Sequence, residues 1–143
     1  MSLVCDIVRG RELFSVDERE TVAEVARRMA DLHVGAILVL GGEDLRGVFS
    51  ERDLMMRVVL DRLDPECTPV WRVMSTALAT IDETADLESA MELMQLNNCR
   101  HLPVMRGSRV VAFLSMRDLM NFALEQKNEE LHHMRTYIHS SGH

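Results

Sequence analysis

Features that would direct the chain to a membrane or to export are absent. No stretch reaches the roughly 18 consecutive apolar residues of a membrane-spanning helix, and residues 1–20 carry no signal-peptide pattern. We therefore expect a soluble, cytoplasmic protein with no membrane partner. Its 143 residues, 47% of them hydrophobic, suffice for one compact domain or two very small ones.

Positive charge is scarce, and lysine is almost missing. The formal net charge is −7, which argues against a nucleic-acid partner, because such binding neutralises phosphates with basic side chains. Lys127 is the sole lysine beside fifteen arginines. Arginine suits bidentate contacts to phosphate, although codon usage is the simpler explanation of the bias.

The chain also lacks the residue patterns of metal sites. Cys5, Cys67 and Cys99 are an odd number in no metal-ligand spacing, so we expect free thiols in a reducing compartment. Histidines crowd the C-terminal end, but only His139 and His143 have i, i+4 spacing there. We interpret these histidines as solvated rather than as metal ligands.

Motifs of common enzyme classes are missing as well. Neither a Walker phosphate loop nor a G-x-G-x-x-G fingerprint occurs, which argues against nucleotide hydrolysis and a Rossmann site. His101, Ser115 and Asp118 have the composition of a hydrolytic triad, but no nucleophile-elbow motif accompanies them. We expect no enzymatic activity and no catalytic cofactor.

One phrase occurs twice: GVFSERDLM at 47–55 and AFLSMRDLM at 112–120. An offset of 65 residues aligns the two halves without a gap, and between positions 16 and 60 of the first copy it gives ten identities, at 17, 18, 29, 39, 42, 50, 52, 53, 54 and 55. Half of these identities fall inside the phrase. The chain is therefore an internal duplication, with a shared fold and its chemistry concentrated in the phrase.

Each half predicts the unit β-α-β-β-α. A short strand (LFSV, LATI) precedes an amphipathic helix, which in the first half starts with a capping box at Thr21 and Glu24. Two strands joined by a glycine turn follow, and then a second helix. The apolar face of the second helix in the first half comprises Leu54, Met55, Val58 and Val59. We expect most of the eleven methionines to pack inside, since they have helical core spacing.

The duplication sets the domain boundaries. Residues 1–64 form the first unit with an N-terminal lead-in, 65–75 a linker with a short helix, 76–126 the second unit, and 127–143 a helical extension and tail. Thr68 is the predicted cap of the linker helix and Pro69 its first residue. Because about 60 residues bury too little surface alone, the two units should pack together. The predicted fold class is α/β of the α+β type.

A tandem pair of such units resembles the cystathionine-β-synthase (CBS) domain pair, and more narrowly the small stand-alone bacterial CBS-pair proteins. The resemblance is carried by VGAILVL (34–40), GVFSERD (47–53), TPVWRVMS (68–75), CRHLPV (99–104), FLSMRD (113–118) and EELHHMRTYI (129–138). It implies two motifs related by a pseudo-twofold axis, clefts between them, and usually a homodimer. It also implies a regulatory sensor of AMP, ADP, ATP, NAD or S-adenosylmethionine that acts on a further protein; AMP is our first choice, with NAD(H) as the main variant.

The repeated phrase suggests how a nucleotide would be held. A serine that opens a helix presents a hydroxyl and backbone N–H groups where the helix dipole favours phosphate. The neighbouring arginine adds a charged donor, and the aspartate accepts hydrogen bonds from ribose hydroxyls. The resemblance places adenine against 34–36 and 100–103 and a polar residue at each first strand. The preferred site comprises Thr80, Arg100, His101, Pro103, Ser115, Arg117 and Asp118, and the second comprises Ser15, Val34, Ala36, Ser50, Arg52 and Asp53.

The sequence leaves a second function open. Ser-x-x-Asp also caps a helix without any ligand, which stabilises the fold by about 1 kcal/mol, and the chain would then be a ligand-independent dimeric scaffold for a partner protein. The second copy of the phrase opens with Ala112 where the first has Gly47, and the extra methyl group could crowd a ligand. Leu124, Leu131 and Ile138 recur every seven residues, with Met134 between them, and predict a dimer contact, unless this stripe packs on its own chain.

Overall fold

The computed structural model describes the backbone of residues 2–141 and the side chains of 2–138. Helix α1 (Val4–Val8) precedes the first repeat, and a 3-10 turn (Val70–Arg72) lies in the linker. The first repeat comprises β1 (Ser15–Asp17), α2 (Val22–Leu32), β2 (Ala36–Gly41), β3 (Asp44–Ser50) and α3 (Glu51–Asp53), which continues as a π-helix (Leu54–Val59). The second comprises β4 (Ile81–Asp82), α4 (Leu87–Leu96), β5 (His101–Arg106), β6 (Arg109–Ser115) and α5 (Met116–Ser141). The predicted β-α-β-β-α order is confirmed in both repeats.

The two sheets have the same topology and register. Each places its first strand parallel to its second and its second antiparallel to its third. Ala36 pairs with Ser50 in the first sheet, and His101 pairs with Ser115 at the equivalent place in the second. Both hairpins turn through a glycine with positive φ, Gly42 at 65° and Gly107 at 61°, a conformation that favours glycine. This register brings the start of each repeated phrase beside the first residues of the central strand.

Helix α2 begins where the sequence predicts. The Thr21 hydroxyl accepts from the Glu24 amide at 3.2 Å, and the Glu24 carboxylate accepts from the Thr21 amide at 3.1 Å. Its predicted face is buried through Val22, Val25 and Met29. In the described chain no helix is both long and apolar enough to cross a membrane.

The hydrophobic core of each repeat includes residues from outside that repeat. Helix α1, which precedes the first repeat, contributes to the core of the second, and the linker, which precedes the second repeat, contributes to the core of the first. Val4 and Val8 of α1 are buried in the core of the second repeat, and the Val4 amide donates to the Ala85 carbonyl at 2.8 Å. Val70 and Val73 of the linker are buried in the core of the first repeat. The lead-in that we grouped with the first repeat therefore packs on the second, and the linker packs on the first. We call this arrangement the reciprocal exchange.

The two repeats also meet directly. Strand β3 lies against β6, and at the hairpin ends Arg109 pairs with Glu43 across 3.3 Å. The linker pairs with the edge of β3, where Val48 and Ser75 exchange two backbone hydrogen bonds of 3.0 and 2.9 Å. The pair of repeats is thus one packed body with a cleft between its halves.

Several predicted details were wrong. The face of the second helix is not uniformly buried: Val58 is buried, but Met55 and Val59 are exposed. Here the Leu60 amide donates to the carbonyl of Met55, five residues back, so the helix departs from the 3.6-residue period on which the predicted face was based. The linker helix begins one residue later than predicted, since Pro69 is its cap.

The prediction that most methionines pack inside was also wrong, because packing rather than spacing decides which helix face is covered. Only two methionines in the described chain belong to the buried core, Met29 and Met94. Five are exposed: Met55, Met56, Met91, Met120 and Met134.

Candidate functional site

A cleft of about 2030 Å³ lies between the repeats, and both contribute to its walls. It exceeds the roughly 300–1,000 Å³ typical of small-molecule sites. Eleven of the thirteen residues predicted to bind a ligand line it: Val34, Ala36, Ser50, Arg52, Asp53, Arg100, His101, Pro103, Ser115, Arg117 and Asp118. Ser15 and Thr80 are not among the lining residues, although their chain neighbours Phe14 and Ala79 are. The fold therefore gathers most of the predicted residues from both copies into one cavity.

The first copy of the phrase is a closed capping network. The Ser50 amide and hydroxyl both donate to Asp53 Oδ2 at 3.0 Å, and the Asp53 amide donates back to Ser50 Oγ at 3.2 Å. The other carboxylate oxygen, Oδ1, accepts from the Ser75 hydroxyl at 3.0 Å and lies 3.8 Å from Arg57 Nε. Asp53 is buried. Both of its oxygens are thus used within the chain.

The second copy is more open. The Ser115 amide donates to Asp118 Oδ2 at 2.9 Å, and the Asp118 amide donates to Ser115 Oγ at 3.1 Å. Asp118 Oδ1 lies 2.9 Å from Arg11 Nη1. The side chain of Asp118 is 19% exposed against 10% for Asp53. The carboxylate of the second copy is therefore the more accessible of the two.

The capping interpretation of Ser-x-x-Asp is correct for both copies. Each serine accepts from the aspartate amide, and each aspartate accepts from the serine amide. The hydroxyl oxygen has a second lone pair, so capping and a ligand contact are compatible. The ligand role of these residues stays a prediction.

The sequence analysis did not predict which side chains contact Oδ1 of Asp118 and of Asp53. Arg11 precedes the first repeat and pairs with Asp118 of the second, whereas Ser75 precedes the second repeat and donates to Asp53 of the first. The reciprocal exchange therefore extends from the cores to the cleft. Arg11 lies four residues before Ser15 and Ser75 five before Thr80. This similar distance from the first strands is the only sequence signal that could have identified Arg11 and Ser75 as partners of the aspartates.

His101 lies in the cleft wall between groups from both repeats. Its ring stacks on Phe113 with centroids 5.0 Å apart and an interplanar angle of 25°. Burial lowers the pKa of His101 below its ordinary 6.5; Asp118 raises it, Arg100 lowers it, and Glu51 of the first repeat raises it. The imidazole is therefore neutral at physiological pH and offers a flat aromatic surface with a hydrogen-bonding edge.

We expect acid to destabilise the protein through His101. The unfolded chain takes up a proton near pH 6.5 while the folded chain resists it, because the folded pKa is lowered. The free energy of unfolding should fall as the pH drops from about 6.5 through the lower folded pKa. NMR titration of the imidazole, together with denaturant melts of wild type and His101→Gln between pH 5 and 8, measures this. A His101 pKa at or above 6.5 would contradict the prediction.

Gly47 has a packing role rather than a ligand role. A β-carbon there would lie 2.7 Å from both Met74 Sδ and the Ser75 carbonyl oxygen, so glycine permits the close approach of the linker to β3. The equivalent Ala112 is buried and lines the cleft.

Charge on the cleft wall is mixed. Four arginines face four carboxylates among the lining residues: Arg11, Arg52, Arg100, Arg117, Glu12, Glu51, Asp53 and Asp118. Arg52 and Arg117 are exposed at the two helix starts, where each can reach an anion in the cleft. In the described residues no group of three or more histidine, cysteine or acidic side chains is placed to hold a metal. The side chains of His139 and His143 lie outside the described part.

The CBS domain family model matches residues 4–60 and 70–125. The chain is similar to the CBS domain-containing protein YhcV of Bacillus subtilis, with 32% identity over 83% of this chain and 82% of that protein. Among eight of the curated relatives that it matches, the chain spans between 17% and 82% of the relative's length.

Solved structures of CBS domain proteins are similar to this chain as well. A protein with CBS domains from Burkholderia ambifaria has a TM-score of 0.82 and 26% identity, covering 87% of this chain and 95% of that one. A CBS domain protein from Pyrobaculum aerophilum, complexed with AMP, has a TM-score of 0.74 and 29% identity, covering 82% and 89%. The duplicated fold, the shared register and these matches lead to one conclusion: the chain belongs to the CBS domain family and carries a tandem CBS pair.

Proposed function

We propose that the chain is a non-enzymatic regulatory module that binds an adenine nucleotide, AMP first, in the cleft between its two CBS motifs. The observation that supports this most is that the fold places both Ser-x-x-Asp helix starts, with Arg52 and Arg117, on the wall of one cleft. A phosphate fits the helix starts, where the dipole and the arginines favour an anion. The Pyrobaculum relative is complexed with AMP.

The second copy of the phrase is the preferred site. Asp118 is the more exposed of the two aspartates, and its Oδ1 is held by one half-exposed side chain, Arg11. Ribose hydroxyls would replace Arg11 at that oxygen, which frees the guanidinium for the phosphate. The His101–Phe113 stack provides an aromatic surface for adenine on the same wall. NAD(H), ADP and ATP share the adenosine half and are the variants of this proposal.

A thermal-shift screen tests the function directly. AMP, ADP, ATP, NAD, NADH and S-adenosylmethionine are each added to the full chain, with GMP and ribose 5-phosphate as controls for base and sugar. A ligand at one hundred times its Kd stabilises the fold by about 2.7 kcal/mol. We expect AMP to raise the Tm more than either control.

The second candidate is a scaffold that holds a partner protein without any ligand. It is favoured by the use of both Asp53 oxygens within the chain and by the exposed apolar residues of the π-helix, Met55, Met56 and Val59. If no adenosine compound shifts the Tm beyond the controls, the scaffold becomes the better explanation.

A further inference from the structure

We propose that residues 124–138 of α5 form a parallel two-stranded coiled coil with a second copy of the chain. The spacing of the apolar residues in this segment, their exposure and the charges beside them indicate that the partner is a second copy. The inference does not depend on nucleotide binding.

The apolar residues of this segment lack a covering surface on their own chain. Leu124, Leu131, Met134 and Ile138 are 59%, 50%, 60% and 62% exposed, although each belongs to a residue type that is usually buried. The alternative that the stripe packs on its own chain is therefore not what the structure has. Four such side chains in one stripe need a partner surface.

Their spacing fits a left-handed coiled coil. Leu124, Leu131 and Ile138 occupy one position of a seven-residue repeat, the a position, and Met134 lies three residues after Leu131, at d. Helix α5 is continuous over all of them. Alternating steps of three and four residues keep these side chains on one seam. The seam from Leu124 to Ile138 is the predicted contact.

The charges that flank the seam select a parallel second copy. With Leu131 at a, Glu130 is at g and Arg135 at e. In a parallel, in-register pair, g of one helix meets e of the next heptad on its partner, so Glu130 faces Arg135 of the other copy. The twofold axis makes this contact twice. An antiparallel pair would set g against g and e against e, which places like charges together.

Lys127 gives the seam its one polar layer. It occupies the d position between Leu124 and Leu131 and is exposed in the described chain. A single polar residue in a seam weakens association but fixes register. The sole lysine of the chain thereby limits how tightly, and in which alignment, two copies associate.

Sedimentation equilibrium on the full chain tests the seam. Leu131→Glu should raise the dimer Kd roughly 100-fold, since two buried leucines are lost and two carboxylates face each other. His133→Glu, at the outward c position two residues away, should change it less than about 3-fold. Lys127→Leu should tighten the dimer by about 10-fold, a gain that misfolding cannot produce. Equal constants for wild type, Leu131→Glu and Lys127→Leu would overturn the proposal.

Charge reversal tests the parallel register. Glu130→Arg and Arg135→Glu should each weaken the homodimer by about 10-fold, because two like-charged pairs form. An equimolar mixture of the two variants should form mainly heterodimers by native mass spectrometry, since both cross pairs are then complementary. Residues five apart do not face each other on one helix, so the effect must arise between copies. A statistical mixture, or reversals that leave the Kd unchanged, would refute the parallel coil.

Discussion

Replacing Val4 by aspartate should lower the free energy of unfolding by about 3–5 kcal/mol, because it leaves an uncompensated charge in a core. Val4 is fully buried in the second repeat, although it precedes the first. A loss of this size removes much of the roughly 5–15 kcal/mol that stabilises a small protein. Arg9→Asp at the residue that follows this short helix, where the side chain is 79% exposed, is the control and should cost less than about 1 kcal/mol. Urea melts measure both.

Hydrogen exchange identifies which repeat a substitution at Val4 destabilises, which the total loss of stability does not. In the milder variant Val4→Ala, hydrogen exchange should speed up first in β5 and β6 of the second repeat, because the cavity opens there. Val70→Ala is the reciprocal change, since Val70 is buried in the first repeat, and it should loosen β2 and β3. Faster exchange confined to the first repeat in Val4→Ala would contradict the reciprocal exchange.

Asp118→Asn should weaken AMP binding roughly 10- to 150-fold. A hydrogen bond to a charged acceptor contributes about 1.5–3 kcal/mol, and asparagine loses the charge and one acceptor oxygen. It keeps an oxygen that accepts from the Ser115 amide, so the cap survives and stability changes little. Calorimetric titration of AMP into wild type, Asp118→Asn, Asp53→Asn and the double variant measures this effect. Asp53→Asn should have the smaller effect, since both oxygens of that carboxylate are already used within the chain.

Arg11→Gln is the companion variant. It removes the side chain that holds Asp118 Oδ1 at 2.9 Å without touching the cap. If Arg11 only competes with ribose, AMP binds more tightly; if it then contacts the phosphate, AMP binds more weakly while adenosine binds better. Unchanged AMP affinity in the double aspartate variant would end the assignment of the nucleotide site, whatever Arg11 does.

Features set by local sequence were predictable here. The offset of 65 residues, the Thr21–Glu24 capping box and the glycine turns follow from nearby residues, and the structure has all three. The repeated phrase also located the helix starts that line the cleft. Local hydrogen bonds and periodicity decide such features, so one sequence suffices to read them.

Features set by distant contacts were not predictable. No spacing in residues 1–12 indicates that Val4 belongs to the second core or that Arg11 reaches Asp118. The chain after Asp53 forms a π-helix in which Met55 and Val59 are exposed, whereas the prediction assumed 3.6 residues per turn. These outcomes depend on packing between segments far apart in the chain.

The reciprocal exchange has a consequence for synthesis on the ribosome. Helix α1 is made before either repeat, yet the Ala85 carbonyl that accepts from Val4 follows about 80 residues later, a wait of roughly 4 to 16 s at ordinary translation rates. Throughout that interval the nascent chain holds Val4 and Val8 without their native cover. The first repeat, by contrast, receives Val70 and Val73 soon after its own last helix has emerged. The first repeat can therefore fold during translation, whereas the second completes its core only when it packs against α1, a segment made before the first repeat.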